Sequence, residues 1–306
     1  MRVAVTGGAG FIGSKLVRRL TELGYEVVVV DDLSKGSLDG IKDLIDSGFV
    51  TLNRHDIRVL DGLREMLKGC DALFHLAAVS TVPEAEADIS KAFTVNVVGT
   101  ANLMKVSTEM GLARIIFASS AAVYGDQSKA VTESDQASPT NVYGMTKLLA
   151  ERLVESYSRP SGISAVVLRI FNVYGGGWGM GVVDSFLNSC INNKPLRIYG
   201  DGRYVRDFIH LDDVVEAFLR ALEFTGRGRG FERFNIATGR PITVIELANM
   251  MLKAFGKPSD RIRYEGERSG DIRYSLADIT HARDVLGFSA SISIEDWIRL
   301  KAKGGR

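Results

Sequence analysis

Apolar residues along this chain recur in two alternating textures. Short unbroken runs such as Val3-Ala4-Val5 and Val27-Val28-Val29-Val30 read as buried strands, whereas Phe11-Ile12 and Leu16-Val17-Leu20 return at helical spacing. On this pattern strands are expected at about 2–6, 26–31, 49–53, 71–76, 113–119 and 164–170. Helical stretches fall between them, at about 11–23, 37–47, 59–68, 89–111 and 143–158. Strand–helix units of this length imply an α/β fold, a doubly wound parallel sheet with helices on both faces. After residue 171 the texture changes. The loop Gly175-Gly176-Gly177-Trp178-Gly179 leads to a short helix near about 182–193 and a strand near 196–199. Asp212-Asp213 opens an amphipathic helix to about 224, and Phe234-Asn235-Ile236 reads as another buried strand. Helices near about 243–255 and 292–303 close the chain. The division expected is a first domain over 1–170 and a smaller C-terminal α/β domain over 171–306, with 211–237 returning to the first.

Composition narrows the function classes. The 306 residues carry 38 Lys and Arg against 37 Asp and Glu, a net charge of +1. Such a balance suggests neither a nucleic-acid nor a membrane surface. No apolar stretch is long enough to span a bilayer, and the N-terminus enters a strand directly without a signal-like segment. The expected location is therefore the cytoplasm. Cys70 and Cys190 are far apart and lack metal-ligand spacing, so both read as reduced core thiols and no metal is expected. Gly226-Arg227-Gly228-Arg229-Gly230 reads as an exposed loop in preference to a phosphate site.

The first chemistry lies in Thr6-Gly7-Gly8-Ala9-Gly10-Phe11-Ile12-Gly13, between the first strand and first helix. A strand running into a helix through glycines turns backbone N–H groups toward an anion. Gly7 permits the turn, Gly10 admits a pyrophosphate, and Gly13 lets helix and strand lie close. The second strand ends at Asp31, about 20 residues beyond the glycines, where a carboxylate accepts the ribose hydroxyls of a dinucleotide and repels a 2′-phosphate. That combination favours NAD over NADP; the plainer alternative is that Asp31-Asp32 caps a turn. Ligands in such a Rossmann sheet lie at the carboxyl ends of the strands. Asp56-Ile57, Leu76-Ala77-Ala78, Ser119-Ser120 and Phe171-Asn172 all fall there.

Ser120, Tyr143 and Lys147 form the candidate catalytic set. Tyr143 and Lys147 stand four apart on a helix, hence on one face. A phenol of ordinary pKa, about 10, is a poor base at neutral pH. An ammonium beside it, with a cationic nicotinamide, would stabilise phenolate. Ser120 ends the strand Ile115-Ile116-Phe117-Ala118, where its hydroxyl can hold a reacting oxygen. Tyr-x-x-x-Lys alone is an ordinary helical surface pair; downstream of a dinucleotide fingerprint it reads as a proton-transfer site.

These residues carry a resemblance. With His75-Leu76-Ala77-Ala78, Asn96-Val97-Val98-Gly99-Thr100 and Ser119 to Gly125 they form a family pattern. Arg169-Ile170-Phe171-Asn172-Val173-Tyr174-Gly175, Arg206-Asp207-Phe208-Ile209-His210 and Arg268-Ser269-Gly270-Asp271 extend it. Over essentially the whole chain the sequence resembles the extended short-chain dehydrogenase/reductase family, the NAD-dependent epimerases and dehydratases. Within it the likeness is greatest to nucleotide-sugar 4-epimerases of the UDP-glucose (UDP-galactose) type. The resemblance implies that Phe11, Ile12, Asp31, Asp32, Leu33, Ser34, Lys35, Gly36, Asp56 and Ile57 line NAD. It adds Leu76, Ala77, Ala78, Ser80, Asn96, Ile170, Phe171 and Val173 to that lining. It places Ser120, Tyr143, Asn172, Val182, Arg197, Tyr199, Arg206, Arg268 and Asp271 around a UDP-sugar. Arg206 and Arg268 suit a diphosphate because guanidinium grips phosphate bidentately, the alternative being surface salt bridges. His75 and His210 read as structural.

The implied reaction is 4-epimerisation through a transient 4-keto sugar, with Tyr143 as acid and base and NAD retained. Relatives that dehydrate or decarboxylate carry an acid just after the catalytic serine or threonine; here Ala121 and Ala122 follow Ser120. UDP-glucuronate and UDP-N-acetylhexosamine stay open as substrates, a sister dehydratase activity also stays open, and Ser275 bears on the size of the 2-substituent. Ser80 departs from the lysine of some 4-epimerases. A non-catalytic NAD or nucleotide sensor on the same fold is the alternative of a different class. The helices near 89–111 and 143–158 carry the surfaces that pair in family homodimers.

Overall fold

The computed structural model describes residues 1–176, 181–224, 230–267 and 270–304. Six strands alternate with helices through the first part of the chain: β1 (Arg2–Thr6), β2 (Glu26–Asp31), β3 (Val50–Arg54), β4 (Ala72–His75), β5 (Arg114–Ser120) and β6 (Ser164–Ile170). A seventh, Phe231–Ile236, joins from far downstream. The sheet order is Phe231–Ile236, β6, β5, β4, β1, β2, β3, and every pairing is parallel. Val27 to Val30 and Ile115 to Phe117 are continuously buried because both faces of the sheet are covered. The chain order reverses on either side of β1, so the turn after Thr6 opens at the crevice where such sheets bind ligands.

Local sequence accounts for most elements. In α1 (Phe11–Glu22), Leu16, Val17 and Leu20 form the buried stripe, which packs with the helix Leu211–Glu223 on one face of the sheet. Asn141 caps the helix Val142–Ser161 through the Gly144 N–H at 2.8 Å, and Gly162 ends it with φ 72°. The expected helix over 89–111 is instead three pieces: Ile89–Phe93, a wide π-type turn over Thr94–Gly99, and Thr100–Met110. A Cβ on Gly99 would sit 2.5 Å from the Ile57 side chain, so this turn is fitted to its neighbour. The helices expected at 37–47 and 59–68 shrink to Lys42–Asp46 and Leu63–Leu67. An unforeseen helix, Val82–Ala87, follows β4 and is capped by Thr81.

The remaining segments build a second core on Phe186, Leu196, Ile198, Leu247, Met251 and Trp297. Its strands are short. Leu196–Tyr199 pairs with Ile262–Glu265, and Val205–Arg206 lies between Ile242–Thr243 and Tyr274–Ser275. Asn172–Tyr174 pairs with Phe208–His210. Asp207, fully buried, fastens these parts by accepting from the Thr238 N–H and hydroxyl at 2.8 and 2.6 Å and from the Gly239 N–H at 2.8 Å. Both cysteines are buried free thiols. Among the described residues no helix is long and apolar enough to cross a membrane, and no cluster could hold a metal ion.

Candidate active site

A cavity of about 640 Å³ runs along the carboxyl ends of the central strands. One end is the glycine turn. Gly7 has φ 71°, and a Cβ there would lie 2.7 Å from the Ala77 N. At Gly13 a Cβ would lie 2.0 Å from the Gly7 O. Only glycines therefore let β1, α1 and the segment after β4 approach so closely. No side chain caps α1 at Gly10, and its first turn lines the cavity, which suits the anionic pyrophosphate of a dinucleotide.

Asp31 is buried at the end of β2. One carboxylate oxygen accepts the Ala9 N–H at 3.0 Å and the other the Leu33 N–H at 2.9 Å. A carboxylate has about four lone-pair sites, so capacity remains for two ribose hydroxyls. Burial raises the Asp31 pKa, and these two amide bonds oppose the rise. The turn geometry and the ribose role are thus compatible: one carboxylate does both. Beyond it lie Asp32, Ser34, Lys35, Gly36, Asp56 and Ile57. Cradle and carboxylate together fit NAD.

The other end gathers Ser120, Tyr143 and Lys147 with Ile170, Phe171, Asn172, Val173 and Val182. Lys147, buried, donates to the Ala118 O at 2.6 Å and lies 4.8 Å from the Phe117 ring centroid. Desolvation lowers its pKa to about 8, opposed by the Glu151 carboxylate. Within the protein alone, burial raises the Tyr143 pKa, and the group that opposes the rise is the Ser120 hydroxyl as hydrogen-bond partner. The Ser120 Oγ also accepts the Ala122 N–H at 3.2 Å.

Leu76, Ala77, Ala78 and Ser80 also line the cavity, whereas Leu33 and Asn96 lie outside its lining. Asn96 is buried and its amide is fully engaged. It accepts the Val79 N–H at 2.8 Å and donates to the Val79 O at 3.0 Å and the Thr146 hydroxyl at 2.9 Å. It shapes the wall without forming it. Arg197, Tyr199, Arg206 and Asp271 lie outside the lining as well. Arg197 is exposed; Arg206 is half-buried, with Asp271 and Asp126 as acidic neighbours. Arg268 and the Trp178 loop lie outside the described residues, as does most of the 226–230 stretch. Ser275 is the register partner of Arg206, outside the lining.

Sequence reading missed the cavity residues His55, Arg58, Glu84 and Lys91. Arg58 forks onto Asp56, and Glu84 pairs with both Lys35 and Lys91. The Thr81–Glu84 spacing, a capping signature, was the available signal for Glu84. His75 bridges the hydroxyls of Thr6 and Thr100, each at 2.9 Å, and burial lowers its pKa to about 3. His210 accepts the Asp212 N–H at 3.1 Å as a helix cap.

Known proteins share this sequence pattern and fold. The sequence model of the NAD dependent epimerase/dehydratase family matches residues 3–237. A UDP-glucose 4-epimerase of Mycolicibacterium smegmatis is 35% identical over 306 residues, 97% of this chain and 96% of that protein. UDP-glucuronic acid decarboxylase 4 of Arabidopsis thaliana is 30% identical over 315 residues, 100% of this chain and 69% of that protein. The structure of a UDP-glucuronic acid 4-epimerase from Bacillus cereus, in complex with UDP-glucuronic acid and NAD, superposes with a TM-score of 0.92. It is 30% identical, covering 99% of this chain and 98% of that one.

Proposed function

The chain belongs to the NAD dependent epimerase/dehydratase family, and from that premise we propose that it interconverts the 4-epimers of a neutral UDP-hexose, UDP-galactose and UDP-glucose. Activity of the nucleotide-sugar epimerase/dehydratase type and use of NAD follow from membership and from the relatives. The observation that carries the finer reading is the pair after Ser120. Ala121 and Ala122 are buried and apolar, so nothing there can move a proton at a second sugar carbon. Among the described cavity residues, the acids Asp31, Asp32, Asp56 and Glu84 come from the end of β2 and the segments after β2, β3 and β4, not from the Ser120 loop.

The residues of the chain then have distinct tasks. Gly7, Gly10 and Gly13 seat the pyrophosphate, and Asp31 holds the adenosine ribose. Bound NAD supplies the oxidant that takes hydride from C4 of the sugar and the reductant that returns it. Tyr143 removes the proton of the 4-hydroxyl and later gives it back, while Ser120 holds the same oxygen. Lys147 supplies positive charge behind the phenol. Turning the transient 4-keto sugar about its link to the diphosphate presents its other face, which inverts C4.

Charge supports a neutral sugar over a uronate. The cations among the described cavity residues are Lys35, Arg58, Lys91 and Lys147. The first three are paired with Glu84 or Asp56, and Lys147 is bound to the Ala118 O. A buried C6 carboxylate would lack a free cationic partner among these described residues. The homodimer reading is supported by Met145, Leu149 and Tyr157, exposed on the helix Val142–Ser161, and by Ile89 and Val98, exposed on segments that contact that helix. The deciding experiment is NMR product analysis of UDP-galactose, UDP-N-acetylgalactosamine and UDP-glucuronate without added NAD, for wild type and Tyr143→Phe. Conversion of UDP-galactose to UDP-glucose, lost by orders of magnitude in the variant, supports the proposal. A 6-deoxy-4-keto product, release of carbon dioxide, or an active Tyr143→Phe sinks it.

A further inference from the structure

The catalytic helix grips β5 at two successive residues. Lys147 reaches the Ala118 O, and one turn further on Glu151 accepts a hydrogen bond from the Ser119 hydroxyl. The next residue along the strand is Ser120. Glu151 is buried, and its carboxylate is also forked by Arg169, Nε to Oε1 at 3.0 Å and Nη2 to Oε2 at 2.8 Å. Ser119 and Arg169 are register partners across β5 and β6, so a single carboxylate clasps both strand ends to the helix. Arg169 is itself fixed over the Tyr124 ring, 4.7 Å from its centroid.

A buried ion pair is a costly way to hold shape, since apolar residues of equal volume do so as well or better. Neither residue has a task in the proton transfer set out above. The charge therefore asks for a reason. We propose that Glu151 is a positioning residue of the reaction, holding the Ser119–Ser120 strand end against the catalytic helix and keeping Lys147 cationic, with Arg169 as its fixed counter-ion. This rests on the epimerase reading of Ser120, Tyr143 and Lys147.

The groups around Lys147 are few. Its own helix offers Tyr143 one turn before and Glu151 one turn after. Strand β4 contributes His75, which burial keeps neutral, and β6 contributes Arg169 behind Glu151. Glu151 is thus the anion that sustains the ammonium against desolvation. Without it Lys147 would release its proton at lower pH.

The test is the pH profile of UDP-galactose turnover for wild type, Glu151→Gln, Glu151→Asp and the double variant Glu151→Gln/Arg169→Met, each checked for melting temperature and NAD content. The double variant does not strand Arg169 as an unpaired buried charge and so guards against a single variant that fails to fold. We expect the alkaline limb to move down by about one pH unit in the Gln-containing variants, a roughly fifteenfold loss between pH 7 and pH 8.5 against about fourfold in wild type. Glu151→Asp, which keeps the charge, should restore most of the limb. A limb at the wild-type pH in folded, NAD-loaded Gln variants overturns the proposal. With Tyr143→Phe inactive, that result rejects the role of Glu151 alone; an active Tyr143→Phe rejects the epimerase reading beneath it.

Discussion

Gly13→Ala tests the dinucleotide seat directly. The added Cβ would lie 2.0 Å from the Gly7 O and 2.9 Å from both the Gly7 C and the Gly8 Cα. All three are backbone atoms of the turn and no rotamer relieves them. Reaching even 3.0 Å from the oxygen requires the helix start and the turn to part by about 1 Å, a strain of the overpacking kind that costs ~1–3 kcal/mol. Better helix propensity offsets at most about 1 kcal/mol of this. An amide–phosphate bond of about 2.9 Å stretched by that amount is no longer a bond. Losing one hydrogen bond to a charged group, ~1.5–3 kcal/mol, lowers NAD affinity by about ten- to a hundredfold. Gly24→Ala is the control: it carries φ 81° but nothing lies within 4 Å of its Cβ, so it has backbone strain without collision. NAD content after purification and calorimetric affinity of the stripped protein are the assays. Equal NAD affinity in Gly13→Ala and Gly24→Ala would refute the reasoning.

Three further outcomes are expected. Asp31→Asn should keep an acceptor for the Ala9 or Leu33 N–H yet lose the charge that repels a 2′-phosphate, so the preference of the stripped protein for NAD over NADP should shrink at least tenfold in competitive titration (about 1.4 kcal/mol). Lys147 has a folded pKa of about 8 against an ordinary 10.5, so between those values the unfolded chain holds a proton that the folded one has released, and this group's contribution to stability rises with pH. Denaturation of wild type against Lys147→Met should show their difference climbing by about 3 kcal/mol from pH 8 to 10.5; a flat difference contradicts the assigned burial. His75→Phe should destabilise by ~1–3 kcal/mol, because the Thr6 hydroxyl loses its ring partner and the Thr100 hydroxyl is left with the Asn96 O alone, while the pH profile of turnover keeps its shape.

The parts of this protein legible in the sequence are those where local pattern and tertiary environment agree. Val27 to Val30 announces a strand because the sheet is covered on both faces, and the glycine spacing announces a seat because backbone must meet backbone there. The break at Thr94–Gly99 has no local signal, and the residue against which Gly99 packs, Ile57, is distant in the chain. Two-residue strands such as Val205–Arg206 and Tyr274–Ser275 are too short to show a period. In the site, Ser120, Tyr143 and Lys147 could be found by spacing. Asn96 could not be told from a lining residue, because only the folded chain reveals that Val79 and Thr146 occupy its amide. Glu151 escaped for the same reason: its partners Ser119 and Arg169 become neighbours only through the register of β5 and β6.

The edge strand Phe231–Ile236 has a consequence during synthesis. Its partner β6 ends at Ile170, and residues 171–236 must leave the ribosome before the two can pair in full. At ~5–20 residues per second, the outer edge of β6, with Val166, Val167 and Leu168, stays open for roughly 3–13 seconds. An open apolar edge of this kind is a template for pairing with another nascent chain. The interval in which this protein is most prone to aggregate is thus set by the position of one strand in the chain. A ribosome stalled anywhere between the two would prolong it.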